Sequence, residues 1–192
     1  MPERIAVFID GGYLDYVLKD NNVFGKLDYR AFAEALRGQA DLLRAYYYHC
    51  LPWQSAIPTP FESERFAKMQ RFLDSVDRLP RYMVRQGRLA HRGTRADGSP
   101  ILEQKQVDIL VAADIVLLSA KYQVGEIVVV TGDSDFLPAI KIARDEGVLV
   151  RLAHGTGQNR PHNELWNMAD ERIEMNATWF ARCLLPAPPP TA

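Results

Sequence analysis

Two aspartates one residue apart, Asp133 and Asp135, follow the run Ile127-Val128-Val129-Val130 and the break Thr131-Gly132. An uninterrupted β-branched run reads as a strand buried on both faces, as in a parallel sheet. Open α/β sheets place their ligand sites just beyond the carboxyl ends of such strands. Helix capping explains part of the pattern, since Ser134 or Asp135 suits an N-cap and Pro138 suits a first turn. It does not explain two neighbouring carboxylates, which repel each other unless a cation or a proton joins them.

The same layout opens the chain. Arg4 to Ile9 reads as a buried strand, Asp10-Gly11-Gly12 ends it, and Tyr13 to Lys19 continues as a helix. The glycine pair allows a tight turn and a close approach to the backbone, but it lacks the spacing of a dinucleotide-binding loop. A further acid, Asp108, falls in the first turn of a helix from Val107 to Ala120. Asp114 falls on a different side of that helix, because six residues is not a whole number of turns. If Asp10, Asp108, Asp133 and Asp135 face one cleft, they form an oxygen-ligand set suited to Mg²⁺ or Mn²⁺. A cation held there lowers the pKa of a water and stabilises charge developing on a phosphoryl oxygen.

A second informative stretch is basic. Arg81, Arg85, Arg88, Arg92 and Arg95, with His91, run without a carboxylate until Asp97. The formal net charge of the whole chain is −1, so this local excess stands out, and it suits a phosphate backbone. A solvated basic face is the plainer alternative. Lys105, just before Asp108, could hold a phosphate or pair with that acid.

The elements that must position these residues alternate between strand and helix. Helices are expected at Tyr29 to Arg37, Phe61 to Leu79, Phe136 to Glu146, Asn163 to Met168 and Ala177 to Leu185. Further strands are expected at Leu42 to His49, Tyr82 to Val84, Val148 to Leu152 and Arg172 to Met175. Gly87, Gly93 and Gly98 are expected to mark turns, and Ile101 to Lys105 to be extended or irregular. Tyr46-Tyr47-Tyr48 could stack on bases, though alternate packing on two sheet faces suits strand-prone aromatics better. This alternation predicts a parallel, doubly wound α/β sheet.

The 192 residues suit one domain, 1–185, followed by a disordered proline-rich tail, 186–192. Hydrophobic residues make up 47%, enough for a globular core. Cys50 and Cys183 form neither a metal-ligand spacing nor a disulfide framework, which fits a reducing cytoplasm. The first apolar run is too short for a signal peptide and no run is long enough to span a bilayer, so a membrane partner is not expected. A homo-oligomer is compatible with the sequence.

Three motifs together resemble the NYN-domain, or LabA-like, family of the PIN-like nuclease superfamily. They are Val7-Phe8-Ile9-Asp10-Gly11-Gly12, Lys105-Gln106-Val107-Asp108 with Asp114 six further on, and Thr131-Gly132-Asp133-Ser134-Asp135-Phe136. The resemblance spans about Arg4 to His154. It implies a three-layer α/β/α PIN-like fold with a mainly parallel sheet, and metal-dependent ribonuclease chemistry. By motif position it assigns Asp10, Asp108, Asp133 and Asp135 to catalysis and to Mg²⁺ or Mn²⁺. RNA is the implied partner, with Lys105, Arg85, Arg88, Arg92 and Arg95 as the expected RNA-binding residues. Many family members carry Asn three residues after the first Asp, where this chain has Tyr13. Some members are thought to act as regulators, so a catalytically weak RNA-binding module is the alternative. A Toprim-like site would want a glutamate after the first strand, and a haloacid-dehalogenase phosphatase an Asp-x-Asp there. Asp10-Gly11-Gly12 supplies neither.

Overall fold

A computed structural model describes residues 3–98 and 100–186; the side chains at positions 104 and 105 are outside that description. Lys105 as an RNA contact, and the expected tail beyond position 186, therefore lie outside the described residues. Among those described, seven strands form one sheet: β1 (Arg4–Asp10), β2 (Asp41–Cys50), β3 (Tyr82–Thr94), β4 (Pro100–Lys105), β5 (Glu126–Val130), β6 (Leu149–His154) and β7 (Glu171–Glu174). Their order is β4-β3-β2-β1-β5-β6-β7. Every pairing is parallel except β3 with β4.

The helices are α1 (Gly11–Asp20), α2 (Tyr29–Arg37), α3 (Pro60–Asp77), α4 (Val107–Ala120), α5 (Leu137–Asp145), α6 (Asn163–Met168) and α7 (Ala177–Phe180). Successive strand residues face opposite ways, and this divides the core in two. Ile5, Val7, Ile9, Val128 and Val130 pack under α1, α2, α3 and α7. Ala6, Phe8, Ile127 and Val129 pack under α4, α5 and α6. The result is the three-layer α/β/α arrangement. β1 and β5 are continuous apolar runs because both their faces are covered. The tyrosine run follows the same rule: Tyr47 belongs to one core layer, Tyr46 and Tyr48 to the other.

Five local expectations differ from the structure. β3 does not stop at Val84 but continues to Thr94 and forms a hairpin with β4. Gly87 is no turn: it pairs with Cys50 inside the parallel ladder. Gly93, at φ +141°, sits where the hairpin register shifts, a bulge rather than a chain reversal. The cap before α5 is Asp133, not Ser134 or Asp135, and it opens a one-turn 3₁₀ helix, Ser134–Phe136. The C-terminal helix is shorter than Ala177 to Leu185. It tightens into a 3₁₀ turn over Ala181–Cys183, and the chain then lies beside Lys26–Asp28. The Cys183 carbonyl accepts the Asp28 N–H at 2.8 Å, and Leu185 N–H donates to Lys26 O at 2.8 Å.

Candidate acidic site at the strand ends

β1 is followed in sequence by its neighbour β2, yet its other neighbour is β5. That reversal of winding makes the β1/β5 edge a switch point, where the turns after two adjacent strands diverge and leave a crevice. Asp10 ends β1, one residue past the Ile9–Val130 pair. Its Oδ1 accepts the backbone N–H of Tyr13 at 3.1 Å, so it caps α1. Across the crevice the Asp133 N–H donates to Thr131 Oγ1 at 3.1 Å, and Asp133 Oδ1 accepts the Asp135 N–H at 2.9 Å. Both motif acids are thus also helix caps. Capping fixes their position without neutralising them.

Asp108 stands in the first turn of α4. That helix starts from Gln106 in a left-handed conformation, φ +77°, with no side-chain cap, and packs against the Ser134–Phe136 turn. The acids act on one another. Burial raises the pKa of Asp10 above the ordinary carboxylate range; the Tyr13 hydrogen bond opposes this, and the charge of Asp108 adds to it. Asp108 is also raised, first by loss of water and then by Asp133 and Asp135. Buried Cys50 at the end of β2 feels both sides: burial, then Asp108 and Asp10, push its thiol up to about 11.

Among the described residues, no Lys or Arg forms an ion pair with any of these four acids. Nor do three His, Cys, Asp or Glu side chains converge tightly enough there to enclose an ion. The donor set suits a hard cation in kind: oxygen only, and raised in free energy by mutual repulsion. Asp10 is half-buried, whereas Asp108, Asp133 and Asp135 are exposed, so the last three have room to close on an ion.

The basic stretch is less available than its composition implies. Arg85 is held by Asp114, with Nε 3.1 Å from Oδ2 and Nη2 3.2 Å from Oδ1. Tyr48 donates to the same carboxylate at 2.8 Å. Asp114 therefore fastens α4 to β2 and β3, on a different side of the helix from Asp108. Arg92 pairs with Glu103 across the hairpin, and Arg95 donates to the Pro100 carbonyl at 3.3 Å. Arg88 is exposed, with no carboxylate partner among the described residues. Lys105 lies opposite Arg88 in the ladder.

Sequence reasoning missed His49, one residue beyond Tyr48, which pairs with Asp10. Its Nδ1 lies 2.8 Å from the Cys50 carbonyl and its Nε2 3.5 Å from Asp15 Oδ2. Both neighbours are acceptors, so the ring form that satisfies both is the imidazolium. Burial alone would lower its pKa, but the Asp15 and Cys50 contacts and the field of Asp10 outweigh it and the net shift is upward. The signal was the strand alternation that puts His49 on the same face as Tyr47, with which it stacks.

The three-layer α/β/α arrangement around a mostly parallel sheet is consistent with a PIN-like fold. A sequence profile of the NYN domain matches residues 4–176, and the chain belongs to the NYN-domain family. It is 27% identical over 177 residues to the low amplitude and bright protein LabA of Synechococcus elongatus, covering 91% of this chain and 85% of that one. It also resembles the crystal structure of a Vibrio parahaemolyticus protein of unknown function. That likeness, at 18% identity and TM-score 0.55, covers 96% of this chain and 97% of the other, and concerns the fold alone. No helix among the described residues is long and apolar enough to cross a membrane.

Proposed function

We propose that this protein is a metal-dependent ribonuclease. Asp10, Asp108, Asp133 and Asp135 would hold Mg²⁺ or Mn²⁺, with Asp10 as the inner ligand and the exposed three closing from the α4 and β5 side. The cation would supply an activated water and stabilise charge on the phosphoryl oxygen. Asp10 and Asp133 would present their carboxylates from the turns they cap. Arg88 and Lys105, with Arg95 further along the hairpin, would steer the RNA backbone, and Arg92 would contribute less because Glu103 pairs with it. Arg85 would contribute less, because Asp114 already balances its charge. Membership of a PIN-like nuclease family supports this reading. The observation that carries it is the placement of Asp10 after β1 and Asp133 after the neighbouring β5, with Asp108 in the first turn of the helix that packs against the Ser134–Phe136 turn.

The test is cleavage of an end-labelled RNA with Mn²⁺ by the parental chain, Asp10→Asn and Asp133→Asn. Both variants should lose more than about 100-fold, since even outer-shell partners of a metal are worth 10–100-fold. Unchanged cleavage by either variant refutes the assignment. The second reading, an RNA-binding regulatory module without turnover, draws on the same acids failing to converge into a closed cage. It expects RNA retention that survives a chelator and yields no product.

A further inference from the structure

We propose that Tyr13 is a positioning residue whose ring sets the Gly132–Asp133 turn against the Asp10 turn, fixing the gap the proposed metal must bridge. The inference rests on the ribonuclease reading for its purpose, though not for its geometry. One residue touches the turns after three neighbouring strands. Its backbone N–H donates to Asp10 Oδ1 at 3.1 Å, beside β1. Its ring lies close enough to Gly132, after β5, that a Cβ there would stand 2.6 Å from Tyr13 Cε2. Its hydroxyl donates to the Asn159 carbonyl at 2.6 Å and accepts the Gly155 N–H at 2.9 Å, beyond β6.

These contacts divide the work. The contact with Gly132 comes from the ring, and the hydrogen bonds to Gly155 and Asn159 come from the hydroxyl. The β6 turn has a second tether, because Asn159 Nδ2 donates to Asp20 Oδ2 at 2.5 Å from the far end of α1. The three atoms nearest the position that a Gly132 Cβ would take all belong to the Tyr13 ring. Loss of the hydroxyl therefore disturbs a turn that is held twice. Loss of the ring frees the turn carrying Asp133 and leaves a void beneath it. Burial pushes the phenol up to about 12, so it stays neutral and keeps both hydrogen bonds across the physiological range.

The experiment compares Tyr13→Phe and Tyr13→Ala with the parental chain by hydrogen–deuterium exchange and by Mn²⁺ calorimetry. Tyr13→Ala should exchange about tenfold faster over residues 131–136, with β1 unchanged. It should also bind Mn²⁺ about 10–100-fold more weakly. Tyr13→Phe should loosen residues 155–159 only and keep Mn²⁺ affinity within about twofold, an asymmetry that general destabilisation would not produce. Parental exchange over 131–136 in folded Tyr13→Ala overturns the proposal, as does equal loss of Mn²⁺ affinity in both variants. Should Tyr13→Ala fail to fold, Gly132→Ala decides. Its new Cβ drives turn and ring apart with the hydroxyl intact, so Mn²⁺ affinity should fall about tenfold; parental affinity overturns the proposal. A parental chain that takes up no Mn²⁺ refutes the ribonuclease reading instead, and the exchange data still decide the role of Tyr13.

Discussion

The charge of Asp108 bears on Asp10, although the two reach the site from different layers: Asp10 from the end of β1, Asp108 from the first turn of α4. Neither is neutralised by a described Lys or Arg. Carboxylates kept this way are a standing cost to the folded chain, and that cost is measurable.

Asp10→Asn should therefore stabilise the metal-free protein at neutral pH. Asn remains a good N-cap for α1, while the buried, repelled charge is gone. The sign follows from linkage: a carboxyl whose pKa is raised on folding takes up protons in the native state, so stability falls as pH climbs from its ordinary value through the raised one. The penalty is complete above both. A gain of about 1 kcal/mol would raise Tm by about 2–4 °C in a chain of this size. Calorimetric scans at pH 7 in chelator check this; a lower Tm for Asp10→Asn contradicts it.

His49 should give a pH dependence of the same sign at higher pH, by loss of a stabilising charge rather than gain of a penalty. Its pKa is raised on folding, so its contribution is full below its unfolded value of about 6.5 and disappears as pH rises through the folded value. The groups facing it are Asp15, Asp10 and the Cys50 carbonyl. Urea unfolding between pH 6 and pH 8.5 should show the parental advantage over His49→Gln shrinking with pH. An advantage constant across that range contradicts the imidazolium.

Arg85 and Arg88 should separate stability from RNA binding. Arg85→Ala leaves the mostly buried Asp114 with Tyr48 alone and should cost about 1–2 kcal/mol after discounting the 39% exposure of the Arg85 side chain. Its effect on the salt dependence of RNA binding should be small. Arg88→Ala should leave Tm unchanged and lower the log–log salt slope for single-stranded RNA by about 0.7. Filter binding in chelator across a salt series checks both, and a reversed pattern contradicts the division.

The layers, and the places of Asp10 and Asp133 just past two strands, were legible in the sequence because each has a local cause. Continuous apolar strands report burial on both faces, and an acid after a strand reports a cap at the sheet edge. The hairpin was not legible, because Gly87 and Gly93 read as turns until a partner strand is known. Nor were the ion pairs of Arg85 and Arg92, since Asp114 and Glu103 come from elsewhere in the chain. Tyr13 could be noticed as a departure from the family pattern, but its hold on Gly132, Gly155 and Asn159 exists only after three strands lie side by side.

The account stands on four acids sharing one cation. Mn²⁺ calorimetry on the parental chain and on Asp108→Asn tests it most directly, because Asp108 links Asp10 to the pair after β5. The account predicts saturable Mn²⁺ binding by the parental chain, weakened at least about tenfold in a folded Asp108→Asn. No heat from the parental chain, or the same isotherm from both, would contradict it.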